Sequence, residues 1–336
     1  MFIIIHDIII IGDMMENLFD RVIQLAQNYD KVILMGHHHP DMDSYGSCLG
    51  LSCIFDTLNI ENYIFLDTND EENIKSIKPA IQLITNKEYL NKDNYKNIIT
   101  DNTLLIICDT HLKERLEYPQ ILDSVKNVIV LDHHIKMSNY IKDTELFYID
   151  SSLSCVVELI GYFAKYMKVD IPSIIATIML AGMEIDTNGF NIKITEKAFI
   201  CAGYLISEGA DPILKQQLLQ EEKTNFLRRA DFIKSSYIYK KKYAICLLAS
   251  TKTTQMELAE VSDELLKFEG VVASFTIGQL EKKIIGISAR SLGNVDVCDL
   301  MKQLGGGGHA TDAATQVNNT TIKALEARLK RIIDKE

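Results

Sequence analysis

The segment KVILMGHHHPDMDSYGS, Lys31 to Ser47, opens on a short apolar run and then turns abruptly polar. Val32 to Met35, bounded by polar residues, has the length and composition of a strand buried on both faces of a sheet. Three histidines follow, then Asp41 and Asp43 in a D-x-D pair. In isolation these letters fit a purification tag, a solvated loop or half of a metal site.

The same junction recurs along the chain. LLIIC, residues 104–108, runs into Asp109, and VIVL, residues 128–131, runs into Asp132, His133 and His134. In MLAGMEIDTNGF, residues 179–190, Asp186 ends a helical apolar run ahead of a glycine-containing loop. In open α/β sheets the carboxyl ends of the strands line the ligand crevice. Seven of the eight histidines fall in four clusters: His37–His39, His111, His133–His134 and His309.

The candidate ligands are therefore His37, Asp41, Asp43, Asp109, His133 and Asp186. Any one aspartate could be a helix cap or a turn residue. Together, four carboxylates and two imidazoles are too anionic to share a site without cations. Oxygen donors with a few imidazoles and no thiolate suit Mn²⁺ or Mg²⁺ ahead of Fe²⁺ or Zn²⁺. Six ligands suit two divalent ions with shared carboxylates, Mn²⁺ being the first choice.

The surrounding pattern sets the fold class. Residues 15–29 carry apolar side chains at helical spacing, DSYGSCLGLSCIFDTL reads as the next helix, and NYIFLD as the next strand. This alternation predicts an α/β fold whose first domain, 14–210, has a mostly parallel sheet flanked by helices. Ser152 and Thr195 are expected N-caps of later helices. A connector helix is expected over 211–235, with Arg228 and Arg229 on a solvated face, and a smaller α/β domain over 236–336.

Residues 1–13 are set apart as an extension of unassigned structure, since a start at Met14 or Met15 fits equally well. Their apolar run is about ten residues, broken by His6 and Asp7. A membrane span needs about 20, and no basic segment or cleavage site marks a signal peptide. The expectation is a cytoplasmic chain without a membrane partner.

A net charge of −11 disfavours long nucleic acid as a partner and favours a small phosphate-bearing substrate. Seven cysteines with no C-x-x-C pair read as buried thiols. A homodimer is left open. In the second domain, GGGGHATDAAT brings Gly306, Gly307 and Gly308 directly before His309, with Arg290 shortly upstream in ISARS. Glycine N–H groups can cradle an anion, and an arginine offers paired donors to phosphate. A flexible turn fits the glycines too.

GHHHPDMDSYGS, CDTH, LDHH and GMEIDTNGF resemble, in order, the four motifs of the DHH phosphoesterases, and ISARSLGNVDVCDLMKQLGGGGHATDAATQV resembles the DHH-associated C-terminal domain. The match covers roughly residues 30–320. PDMDS, SARSLGNVDV and GGGGHATDAATQ look most like the cyclic-di-AMP phosphodiesterases, here as a catalytic unit standing alone. The resemblance implies two-metal hydrolysis of cyclic di-AMP to 5′-pApA, with onward cleavage to AMP. The alternatives are a short-oligoribonucleotide or pAp hydrolase on the same scaffold and, more remotely, a non-catalytic nucleotide sensor.

The resemblance further implies that His37 and Asp41 hold one metal. Asp43, His133 and Asp186 hold or help hold the pair, and Asp109 bridges. Asp132 orients a neighbouring imidazole, and His134 faces the scissile phosphate. The glycine run, His309 and Arg290 bind the nucleotide. His38 and His39 are read as loop residues without a role.

Overall fold

The computed structural model describes residues 14–85 and 87–335; the expectation for residues 1–13 lies outside them. The chain divides into two compact units, residues 1–220 and 221–336.

The first unit runs α1 (Met14–Gln27), β1 (Lys31–Met35), α2 (Met42–Thr57), β2 (Asn62–Phe65), α3 (Lys78–Leu83), β3 (Tyr89–Leu90), β4 (Thr103–Cys108), α4 (Ile121–Ser124), β5 (Asn127–Asp132), β6 (Leu146–Ile149), α5 (Val156–Met167), α6 (Ser173–Asp186), α7 (Glu196–Ser207) and α8 (Pro212–Leu218). Its six strands pair in parallel in the order β3-β2-β1-β4-β5-β6. Each strand splits its apolar residues between two cores. Val32, Leu34, Leu104 and Ile106 pack with the helical layer of α1, α2, α5 and α6. Ile33, Met35, Leu105 and Ile107 pack on the opposite face with Tyr95, Leu116 and Ile121. This two-sided burial is why the strands read as unbroken apolar runs.

The strand order reverses between β1 and β4. Successive connections leave this pair in opposite directions, so a crevice opens at their carboxyl ends. Gly36 fits there because a Cβ would lie 2.0 Å from Ser44 Oγ.

The second unit contains α9 (Lys223–Ser235), β7 (Tyr237–Tyr239), β8 (Tyr243–Lys252), α10 (Gln255–Leu265), β9 (Ala273–Glu281), β10 (Ile284–Ser291), α11 (Val297–Lys302), β11 (Gly307–Gly308), β12 (Asp312–Asn318) and α12 (Ile322–Ile333). The sheet order is β11-β12-β10-β9-β8-β7, antiparallel except between β8 and β9.

Three local expectations change. The stretch 211–235 is two helices, because Leu218 belongs to the first core while Phe232 and Ile233 pack against a core of the second unit. Arg229 pairs with Glu221 and Glu260, and Arg228 with Glu257, where a solvated face was expected. Helix α5 is capped by Cys155, whose Sγ accepts from the Glu158 N–H; Ser152 instead bonds Asp150. Thr195 caps α7 as expected, accepting from the Ala198 N–H. No helix among the described residues is long and apolar enough to cross a membrane.

Candidate metal centre

The carboxyl ends of β1 and β4 deliver the first pair of side chains. His37 Nδ1 lies 2.9 Å from the His38 carbonyl, which can only accept, so Nδ1 carries a proton and Nε2 is the nitrogen turned to the carboxylates. That Nε2 faces Asp109 Oδ2 at 3.3 Å and Asp41 Oδ2 at 3.7 Å. Asp41 combines two roles. Its Oδ1 caps α2 by accepting from the Asp43 and Ser44 N–H groups, and its Oδ2 points at His37.

Asp109 follows β4 with φ +66°, a left-handed conformation that costs an ordinary residue energy and that aspartate tolerates better than most. Its N–H donates to the Leu131 carbonyl of β5, which fixes the turn. Asp109 Oδ1 then lies 3.3 Å from His133 Nε2, and His133 Nε2 lies 3.2 Å from Asp186 Oδ2 at the end of α6. Asp43 is fully buried and accepts from the Val156 and Val157 N–H groups at the start of α5. Three groups of ligand atoms result, each within 4.8 Å: His37, Asp41 and Asp109; Asp109, His133 and His134; Asp43, His133 and Asp186. Asp109 and His133 are each shared by two groups.

The electrostatics show what this arrangement lacks. Burial raises the Asp43 carboxyl well above the usual range, and the Asp109 and Asp186 charges add to it. Burial likewise raises Asp186. Burial would lower His133, yet the Asp109 and Asp186 carboxylates beside its Nε2 push it up to about 11. Burial would lower His37 as well, and the Asp109 and Asp41 carboxylates raise it well above its ordinary value. Asp109, despite its burial, is held far below the carboxylate range by His133 and His37. The cluster therefore draws protons wherever it can, as an anionic site without cations must. Asp109 Oδ1 and His133 Nδ1 are buried with no hydrogen-bond partner. An oxygen-rich donor set, an excess of negative charge and an orphaned buried oxygen fit two divalent cations.

Asp132, the last residue of β5, sits behind this cluster. Its Oδ1 accepts from both the N–H and the Nδ1 of His134, at 3.1 and 2.8 Å. Its Oδ2 accepts from His111 Nδ1 at 2.5 Å. Burial would raise this carboxyl, and the two imidazoles hold it well below the usual range. Sequence reasoning gave His111 no role. The signal was present in CDTH, but the partner lies 21 positions on, and only the pairing of β4 with β5 joins them.

A cavity of about 450 Å³ opens over these residues. It is lined by His37, Asp41, Asp109, His133, His134 and Asp186, and also by His38, His39, Glu114, Arg115 and Lys193. His38 and His39, read as residues without a role, thus border the cavity, although neither joins a ligand group. Nothing in the sequence marked Arg115 or Lys193.

In the second unit, Gly306 and Gly308 are required by their own hairpin. A Cβ at Gly306 would lie 2.1 Å from the Ala314 carbonyl, and one at Gly308, at φ +143°, 2.4 Å from the Asp312 carbonyl. A Cβ at Gly307 would meet nothing within 4 Å. His309 is exposed, and its N–H donates to the Asp312 carbonyl at 2.6 Å. Arg290 was read as a phosphate contact; its Nε donates to Asp263 and its Nη1 to Asp312. These carboxylates of its own unit tie the guanidinium to the base of the hairpin.

Residues 31–183 match the model of the DHH family N-terminal domain, and residues 240–335 that of the DHHA1 domain. Over 93% of its length the chain is 36% identical to the cyclic-di-AMP phosphodiesterase PdeA of Listeria monocytogenes and 33% identical to the cyclic-di-AMP phosphodiesterase GdpP of Bacillus subtilis. It spans about half of those relatives, 48% of each. The bifunctional oligoribonuclease and PAP phosphatase NrnA of Bacillus subtilis is 27% identical over 86% of this chain and 90% of its own. The crystal structure of an exopolyphosphatase-related protein from Bacteroides fragilis shares the fold, with TM-score 0.73, 20% identity, and coverage of 94% of this chain and 96% of that one. A reversing parallel sheet gathers the aspartates and histidines of four motifs, the second unit carries the glycine hairpin, and the chain is built of a DHH family N-terminal domain followed by a DHHA1 domain.

Proposed function

We propose that the chain is a phosphodiesterase that hydrolyses cyclic di-AMP to 5′-pApA, with onward cleavage to AMP. The observation that carries this reading is the sharing of Asp109 and His133 among three ligand groups at one sheet end. His37, Asp41, Asp43, Asp109, His133 and Asp186 would hold two divalent ions, with Mn²⁺ the first choice. Such ions, when bound, activate water near neutral pH and offset charge on the phosphoryl oxygens.

The protein's own groups do the rest. Asp109 is held ionised by His133 and His37 and fixed in place by its strand-end turn. Asp43 is fixed by two helix amides, so neither carboxylate needs to reorganise during reaction. Asp132 accepts from His134 Nδ1, so Nε2 is the ring nitrogen that remains for a phosphoryl oxygen or the leaving 3′-oxygen. The glycine hairpin and His309 offer backbone and ring contacts to a nucleotide, with Arg290 holding the hairpin in shape.

The similarity to phosphodiesterases named for cyclic di-AMP supports the substrate. The similarity to NrnA, whose whole length is matched more fully, favours a second reading: a hydrolase of short linear oligoribonucleotides or pAp. Initial rates on cyclic di-AMP, pApA, short RNA and pAp, with Mn²⁺, separate the two. The first reading predicts cyclic di-AMP among the fastest substrates; a much faster rate on pApA or pAp replaces it with the second.

A further inference from the structure

Two of the eleven residues that line the cavity carry a fixed positive charge. Arg115 ends the short turn Lys113–Arg115 that follows β4, and Lys193 lies on the loop that follows α6. Neither can bind a metal. Neither forms an ion pair with any described residue, although the chain has 46 aspartates and glutamates. Both are exposed.

Their backbones are anchored to the metal-holding segments. The Arg115 carbonyl accepts from the His38 N–H at 2.7 Å, and Leu116 bridges to His37. The Asn191 and Ile192 N–H groups donate to the Thr187 carbonyl directly after Asp186, at 2.8 and 3.0 Å. Lys193 follows with φ +49°. Glu114, the nearest acidic neighbour in sequence, is engaged by the Asn139 side chain.

The charge balance gives these two cations a task. Four carboxylates, Asp41, Asp43, Asp109 and Asp186, would offset two divalent ions. With such ions held, the cluster would polarise one phosphate against it but would carry no net charge to attract another. A dinucleotide carries two phosphates. Exposed cations on anchored backbone at the rim of the same cavity supply what the second one needs.

We propose that Arg115 and Lys193 form the subsite for the second, non-scissile phosphate of a dinucleotide. This rests on the phosphodiesterase reading above and specifies its substrate class: a diester bearing another phosphate within reach, cyclic or linear, in preference to an isolated diester.

The test compares wild type with Arg115→Ala, Lys193→Ala and the double variant. Steady-state kinetics are measured on pApA and on bis(p-nitrophenyl) phosphate, a diester with no second phosphate. Affinity for pApA is measured separately by calorimetry with Ca²⁺ under conditions without turnover. The double variant is expected to lose about 10- to 100-fold in kcat/KM on pApA, the size of a lost charge-assisted phosphate contact or two. Its loss on the synthetic diester is expected to be at least tenfold smaller, and the affinity for pApA falls with the kinetics. Equal losses on both substrates, or unchanged affinity for pApA, overturn the subsite. If wild type hydrolyses neither ester, the phosphodiesterase reading fails, and the affinity measurement still decides the subsite. Weaker pApA binding in the double variant supports it, and equal or absent binding in both proteins refutes it.

Discussion

His111 and Asp132 form a buried pair across the ends of two neighbouring strands. His111 Nε2 accepts from the Met137 N–H at 3.0 Å, so its Nδ1 carries the proton that Asp132 receives. One carboxylate thereby fixes the tautomers of two imidazoles, His111 behind it and His134 in front. Replacing His111 by alanine leaves Asp132 with one buried oxygen unpaired and His134 less firmly oriented. Turnover is expected to fall about 10- to 100-fold, as for other groups that hold a metal-site residue from behind. Elemental analysis should show nearly wild-type metal content. A kcat equal to wild type would show that His134 is held without His111.

Asp109→Asn tests the shared carboxylate. Asparagine also tolerates the left-handed backbone that Asp109 adopts, so the variant should keep the turn, with the melting temperature of the metal-free protein lowered by loss of the contacts to His133 and His37. Hydrolysis should be abolished and bound Mn²⁺ reduced. Full activity in this variant would remove Asp109 from its bridging role.

Metal uptake should release protons. In the metal-free protein His133 is raised to about 11 and His37 well above its ordinary value, so both are protonated at neutral pH. A ligand nitrogen must be deprotonated, and affinity for Mn²⁺ should rise with pH. Titration calorimetry in buffers of different ionisation enthalpy measures the release directly; heats independent of the buffer would contradict it.

The same shift governs the stability of the metal-free form. A histidine raised from 6.5 to about 11 stabilises the fold fully below pH 6.5, and that contribution is lost as pH rises toward 11. Between pH 6.5 and 9.5 the melting temperature of chelator-treated protein should decline. The decline should be shallower in His133→Gln, which has no proton to lose.

The glycine hairpin separates Gly306 and Gly308, which its own backbone requires, from Gly307, where a Cβ would meet open space. Gly306→Ala drives a methyl group against the Ala314 carbonyl and should cost about 1–3 kcal/mol, an overpacking penalty, seen as a lowered melting temperature. Gly307→Ala adds a methyl into open space and should leave the melting temperature unchanged. If the hairpin binds nucleotide, Gly307→Ala raises KM for a dinucleotide. An unchanged KM would remove Gly307 from the contact surface.

Strand-end histidines and aspartates were legible because a strand buried on both faces leaves an unmistakable apolar run, and whatever follows it must lie at the sheet edge. The parallel sheet and the second domain were legible from the same periodicity. Cys155 as a cap was hidden because thiols rarely cap helices. The break at residues 219–222 was hidden because the helical pattern continues through it, and only the packing of each half on a different core divides it.

By itself the sequence determined the buried strands β1, β2, β4 and β5, most of the longer helices and the candidate ligand types, since these follow from local periodicity and from the chemistry of each side chain. Tertiary structure alone decided which atoms meet. The reversal of strand order between β1 and β4 brings His37 to Asp109. The register of β4 with β5 brings His111 to Asp132, and a helix end brings Asp186 to His133. It also decided that Arg290 pairs with Asp263 and Asp312 of its own unit while Arg115 and Lys193 line the cavity. Contacts between residues distant in sequence depend on how whole elements pack, and no local pattern records that.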